Sequence, residues 1–305
     1  MDAVAERAVR EAVLAWLDAR TESGGGFRPF GWTELQQGID IGGIRLPLLG
    51  AQQGIWKPRI LGAALSIRTR FTPPGAPAPY DDGVGPDGLL RYKYRGEDPQ
   101  HADNRALRAA MEYRLPLVWF WGVGRALYEA IRPVWLVGEE PERRQFAVAV
   151  DEAQRALRLD GEPSGADRRY AAQVTRRRVH QPVFRAQVIT AYGNACAMCR
   201  LRYASLLDAA HILRDGHPRG DPVVQNGLAL CKIHHAAFDQ NLIGVRPDGL
   251  VVEVREDVRR QSDGPMLLHG LQEMHGVHLV LPASAAARPD RSRLEERWEE
   301  FRHAG

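Results

Sequence analysis

The sequence predicts an α+β chain of two domains, a β-rich one followed by one stapled by a metal ion. Three observations predict it. Residues 27–71 are short apolar runs cut by Gly and Pro, the pattern of strands. Cys196, Cys199 and Cys231 are all the cysteines in the chain, and they fall in one stretch among histidines. Between these regions, Gly161-Glu-Pro-Ser-Gly165 consists largely of turn formers and reads as a linker. The expected division is residues 1–160, a linker at 161–166, and residues 167–305.

Composition narrows the class. Hydrophobic residues make up 44% and charged residues 26%, as in ordinary globular protein. No apolar run reaches the ~20 residues of a membrane span. Residues 1–20 mix acids, bases and apolar side chains, without the basic start and apolar block of a signal peptide. The expectation is a cytoplasmic protein with no membrane partner. An odd cysteine count argues against a disulfide framework. The net charge of +3 permits nucleic-acid binding without demanding it. Lys57, Lys93 and Lys232 are the only lysines, so the basic charge is nearly all arginine. Arginine suits bidentate contact with phosphates, though a GC-rich genome also favours its codons.

The elements follow in order. Val4, Ala8, Val13, Trp16 and Leu17 have near-helical spacing and predict a helix over 3–19, ended by the glycines at 24–26. Residues 72–79 are Pro-rich and predict a loop, followed by a polar stretch at 80–88. Residues 89–94 predict a strand and 104–113 a helix. Residues 115–123, 134–137 and 146–150 predict buried strands. A short helix is expected at 151–159. Residues 167–192 read as a helix with a basic stretch at 176–178, broken or restarted at Pro182. Residues 241–254 predict a hairpin turning at Pro247-Asp-Gly249, and 292–302 a charged terminal helix.

The cysteines carry the first chemical signal. Cys196-Ala-Met-Cys199 and Cys231-Lys-Ile-His234 have the same two-residue gap, which lets two ligands grip one tetrahedral ion from a tight turn. Three thiolates and one imidazole make a closed structural zinc site that ties together loops with little core of their own. The separation of the two pairs is too long for a compact ribbon, so something is built between them.

That intervening stretch holds Asp208-Ala-Ala-His211-Ile212, then Asn226-Gly-Leu-Ala-Leu-Cys231, then His234-His235. It resembles the HNH endonuclease family, in the branch with an Ala-Ala-His-Ile signature, over about residues 183–254. The resemblance implies a ββα-metal finger that hydrolyses DNA with one divalent cation, Mg2+ or Mn2+. It makes His211 the general base, Asn226 the residue that holds the His211 loop or orients the base, and His235 a ligand of the catalytic cation. His235 and His234, as helix neighbours, point about 100° apart, so each faces a different ion. Where many members carry an Asp or His before the base, this chain has Ala210. Asp208 and Asp239 are the candidates for the missing carboxylate; otherwise they are ordinary turn and helix-end residues. His217 reads as solvated. A finger that only binds DNA is the alternative.

Tyr80-Asp-Asp-Gly83, Leu89-Leu-Arg-Tyr-Lys-Tyr-Arg-Gly96 and Asn104 resemble a second family, the SET- and RING-associated (SRA, PUA-like) domain. That family flips modified cytosine out of duplex DNA. The resemblance implies a base pocket with Tyr80, Tyr94 or Tyr92 as walls, Asp81 or Asp82 as acceptor, and Trp119 close by. At least two of Trp119, Phe120 and Trp121 are expected in the core. The combined expectation is a modification-dependent restriction endonuclease for 5-methyl- or 5-hydroxymethylcytosine in double-stranded DNA, plausibly a homodimer. Phosphorothioate or unmodified DNA is the rival target.

Overall fold

The computed structural model describes residues 3–23, 28–73, 76, 83–157 and 164–304. The chain divides into two compact units. One comprises Met1–Thr72 and Ala76–Val183; the other comprises Pro73–Gly75 and Phe184–Gly305.

The first unit is built on a seven-stranded mixed sheet. Its order runs Ile55–Trp56, Ser66–Thr69, Leu117–Gly124, Leu127–Glu140, Gln145–Ala149, Leu90–Lys93, with Phe30–Gly31 pairing beside the path. Ser66–Thr69 runs parallel to Leu117–Gly124, and the other pairs are antiparallel. The strand Leu127–Glu140 has 14 residues, far beyond the expected 134–137. Pro133 cannot donate to a ladder, and it falls at a register shift where no donor is needed. That shift depends on the neighbouring strand, so local sequence could not reveal it.

The first helix, Ala3–Ser23, runs a turn past the expected end. It buries Val9, Val13 and Leu17 against Phe30, Leu35, Leu48 and Phe120. Its same flank buries Arg10, 1% exposed, and Glu6, 7% exposed. Arg10 donates to Glu6 at 2.7 Å and to the carbonyls of Ala64 and Pro116, both at 2.8 Å. Glu6 also accepts from the backbone N–H of Gly62 at 3.0 Å. Within the stretch read as strands lies a short helix, Trp32–Gln37, closed by Gly38 at φ 62°.

The helix Gly165–Thr175 starts from a capping box of Ser164 and Asp167. Its Thr175 hydroxyl donates to Gly88 O at 2.9 Å, and Gln154 Nε2 donates to Ala171 O at 2.8 Å. These bonds tie it to the first unit, so the division falls at Val183 rather than at 161–166; residues 161–163 lie outside the described residues. A π-helical stretch, Arg176–His180, leads into the helix Gln181–Ala191.

The second unit holds a hairpin, Leu207–His211 against Gly227–Cys231, followed directly by the helix Lys232–Asp239. A second hairpin pairs Ile243–Arg246 with Val251–Val254, turning at Pro247 to Gly249 as expected. The helix Arg291–His303 packs its Phe301 against Gly244, where a Cβ would lie 2.6 Å from the ring. Arg297 of this helix is buried and donates to Phe238 O, anchoring the far end of Lys232–Asp239. Among the described residues, no helix is long and apolar enough to cross a membrane.

Candidate functional site

The four expected structural ligands converge. Cys196 Sγ and Cys231 Sγ lie 3.4 and 3.3 Å from His234 Nδ1, and Cys199 Sγ lies 4.0 Å from Cys231 Sγ. All four ligand atoms lie within 4.8 Å of one another. A tetrahedral zinc site has edges of about 3.5–3.8 Å, from Zn–S near 2.3 Å and Zn–N near 2.0 Å. The donor set and its dimensions therefore fit zinc. His234 Nε2 donates to Gly270 O at 2.8 Å, which leaves Nδ1 free as the ligand atom.

Local structure explains the convergence. Arg200, at φ 63°, turns the knuckle back, and its N–H donates to Cys196 O at 3.0 Å. Ala197 N–H donates to Ala229 O at 2.7 Å, pinning the knuckle beside the strand Gly227–Cys231. Cys231 is the last residue of that strand and caps the helix, so His234 lies one turn in.

His211 ends the other strand of the hairpin, opposite Gly227. Its ring stacks on Phe184, centroids 4.1 Å apart and planes 24° apart. Gly227 must be glycine: a Cβ there would lie 2.4 Å from Val188 Cγ2 and 3.0 Å from Phe184 Cζ, displacing that platform. Burial pushes the His211 imidazole below its ordinary range, more than Asp215 and Asp239 raise it, and the nearby His235 adds to the fall. A neutral imidazole is the form that accepts a proton.

Asn226 is fully buried. Its side chain accepts from Leu213 N–H at 2.9 Å and donates to Leu213 O at 3.0 Å and Asp221 O at 3.1 Å. It clamps the chain leaving His211 and does not line the cleft that His211 enters. Of the two expected roles, holding the loop is the one these bonds perform.

His211, Arg214, Asp215, His235 and Asp239 line a cleft of about 410 Å³. His235 sits between two carboxylates: Asp208 Oδ2 is 3.5 Å from its Nδ1, and Asp239 Oδ2 is 3.3 Å from its Nε2. Asp208, then Asp239, push the imidazole up to about 9. The site thus holds a positive charge on His235, where a cation's charge would satisfy the same carboxylates.

The two candidate carboxylates separate. Asp239 lines the cleft. Asp208 does not: its Oδ1 accepts from Arg185 Nε at 3.1 Å and its Oδ2 from Lys232 Nζ at 2.7 Å. Against the penalty of burial, His235 and Lys232 hold the Asp208 carboxyl well below the usual carboxylate range. Of the two candidate cation ligands, Asp208 thus lies off the cleft lining, with its oxygens paired to Arg185 and Lys232. His217 pairs with Glu296 at 2.9 Å, outside the cleft. Sequence reading missed Arg214 and Asp215, which looked like any charged pair in a polar loop.

The expected base pocket is corrected in the first unit. Tyr92, Tyr94 and Trp119 are core residues, 6%, 3% and 0% exposed. Tyr92 packs edge-on against Trp119 and donates its hydroxyl to Gly54 O at 3.0 Å. Trp119 Nε1 donates to Thr69 Oγ1 at 2.9 Å. Tyr94 packs on Phe146 and gives its hydroxyl to Glu139, which Arg108 also holds. Their aromatic faces are spent on one another. Phe120 joins the opposite core cluster, as strand alternation requires. Tyr80, Asp81 and Asp82 lie outside the described residues. Asn104 is fully buried, accepting from Arg95 N–H at 2.9 Å and donating to Asp98 O at 2.9 Å.

Residues 196–246 match the family described as HNH endonuclease. The chain therefore carries an HNH endonuclease domain there, with a cysteine–histidine cluster of zinc-binding type inside it. No curated protein matches the chain. Among solved structures, the chain is similar to one titled "Modification dependent TagI restriction endonuclease", at 18% identity over 82% of this chain and 86% of that one. The TM-score is 0.28, too slight a likeness to carry an argument about fold or function.

Proposed function

We propose that this protein is a divalent-cation-dependent endodeoxyribonuclease whose second unit hydrolyses phosphodiester bonds. The observation that supports this best is the meeting of His211, His235 and Asp239 in one cleft, within the stretch that matches HNH endonucleases. His235 and Asp239 would hold a cation of the Mg2+ or Mn2+ kind, which when bound supplies positive charge for the phosphate's developing negative charge. His211 takes a proton from water at an imidazole nitrogen, helped by the burial that keeps it neutral. Phe184 fixes the plane of that ring, and Asn226 fixes the backbone that follows it. Asp208 holds His235 from the Nδ1 side, so that Nε2 faces Asp239. The zinc cluster sets the start of the helix that carries both cleft residues.

We further propose that the first unit, as an SRA/PUA-like reader, selects duplex DNA carrying 5-methyl- or 5-hydroxymethylcytosine. Sequence resemblance at Tyr80-Asp-Asp-Gly83, Tyr94-Arg-Gly96 and Asn104 supports this reading. With Tyr92, Tyr94 and Trp119 committed to the core, Tyr80 is the wall candidate and Asp81 or Asp82 the acceptor. Cutting both strands calls for two finger domains or two passes, which favours a homodimer on the DNA.

The test is cleavage, with Mg2+ or Mn2+, of matched plasmids carrying plain cytosine, 5-methylcytosine or 5-hydroxymethylcytosine. Cutting confined to modified plasmids supports both proposals. Equal cutting of all three keeps the nuclease and discards the modified-base reading. If wild-type protein cuts nothing, including phosphorothioate DNA, while still binding DNA, the nuclease proposal fails and a non-catalytic DNA-binding finger takes its place.

A further inference from the structure

The cleft contains one guanidinium among its lining residues, that of Arg214. Its backbone is clamped from two directions. Asn226 bonds both the N–H and the carbonyl of Leu213, the residue before it. From the other side Gly220 packs so closely that a Cβ there would lie 2.1 Å from the Arg214 carbonyl oxygen. His217 N–H donates to that same carbonyl at 3.0 Å. The side chain is exposed, and its Nη2 donates to Asp239 O at 3.2 Å, at the C-terminal end of the helix Lys232–Asp239. A cation is favoured at that end. A guanidinium carries five N–H donors in a planar fork, so this one anchor aims the group and leaves other donors for a ligand.

The cleft also holds Asp215 and Asp239, whose charges would repel a phosphodiester unless cationic groups offset them. A guanidinium matches two non-bridging phosphate oxygens at once. Resting on the nuclease reading above, we propose that Arg214 grips the non-bridging oxygens of the scissile phosphate and is a catalytic residue. In the step, a water oxygen bonds to phosphorus and its proton passes to His211. One phosphorus–sugar oxygen bond breaks, and the leaving oxygen takes a proton from water. Arg214 keeps its charge throughout and steadies the phosphate oxygens as negative charge gathers on them.

The experiment compares full-length wild type, Arg214→Ala and Arg214→Lys in two assays. Binding to short modified and unmodified duplexes is measured across a salt series with neither chelator nor added Mg2+ or Mn2+, which leaves the structural zinc in place, and single-turnover cleavage is measured at saturating DNA with Mn2+. For Arg214→Ala the log–log salt slope should fall by about one on both duplexes. The cleavage rate should fall about 100-fold, and lysine should recover part of each. An unchanged slope overturns the proposal, because no phosphate contact was lost. A lower slope with an unchanged saturating rate also overturns it, because the contact is then to a flanking phosphate. Wild-type protein that cuts no duplex overturns the nuclease reading and this proposal together. A cutting wild type matched by its alanine variant overturns this proposal alone.

Discussion

At the residue scale the site depends on where single side chains are held. Burial pushes the His211 imidazole below its ordinary range, so on the proposed reading of His211 as the base, cleavage is sensitive to pH in a defined direction. A base with a depressed pKa stays deprotonated further into acid. The acid limb of the cleavage profile should therefore reach half its plateau below about 6.5, the ordinary imidazole value. A measured midpoint well above that would contradict the assignment. His211→Ala should reduce cleavage by about 100-fold or more while DNA binding is retained. Gly227→Ala tests the platform. Its Cβ would collide with Val188 and Phe184, costing about 1–3 kcal/mol by overpacking. Denaturation should show that loss, and the cleavage rate should fall with it, since the ring under His211 moves. That His211 and His235 share one cleft was legible in advance, because the order and spacing of the two residues are distinctive. The division of labour between Asp208 and Asp239 was not, since both lie within reach of His235 in sequence terms and only the ion pairs with Arg185 and Lys232 separate them.

At the element scale, apolar periodicity located the longer helices and most strands of the first unit's sheet, because burial on one face leaves a repeating mark, and it missed short helices such as Trp32–Gln37. It failed where partners override local preference, as in the strand Leu127–Glu140, which runs through Pro133 and Gly138 on the strength of its neighbours. It was also silent about Glu6 and Arg10, charged residues on the first helix that look solvated in sequence and are buried in the fold. Glu6→Ala should destabilise the first unit by about 3–5 kcal/mol, because Arg10 would be left as an uncompensated buried charge. Against the penalty of burial, the Arg10 hydrogen bond and the Gly62 N–H hold the Glu6 carboxyl below its ordinary value of 4.5. A lowered carboxylate pKa contributes stability that is complete above 4.5 and lost as pH falls through the folded value. Wild type should therefore lose stability between pH 4.5 and more acid values, and the Glu6→Ala variant should show a shallower loss in that window. Parallel acid curves for the two proteins would sink this account.

At the scale of the whole molecule, two compact units with separate cores predict two thermal transitions. Metal analysis should find about one zinc per chain. A strong chelator, or Cys199→Ser, should lower or abolish the transition of the second unit, because zinc binding there is part of its folding free energy. The other transition should stay in place. A single transition unmoved by chelation, or a folded protein free of zinc, would remove the structural ion from the reading.

The sequence by itself determined the grouping of Cys196, Cys199, Cys231 and His234, and the division of the chain into two parts. The grouping rests on residue types at short spacings, which survive in a one-dimensional record: a two-residue gap fixes a knuckle, and neighbouring histidines on a helix point about 100° apart. Only the tertiary structure decided which aromatics are core. Tyr92, Tyr94 and Trp119 carry the same side chains whether they stack on a base or on one another, and their neighbours come from distant strands. Only the fold could show that Arg214 and Asp215 enter the cleft, and that the helix Gly165–Thr175 belongs to the first unit through Thr175 and Gln154. In each case the deciding contacts join residues far apart in the chain, and such contacts leave no periodic mark on the sequence.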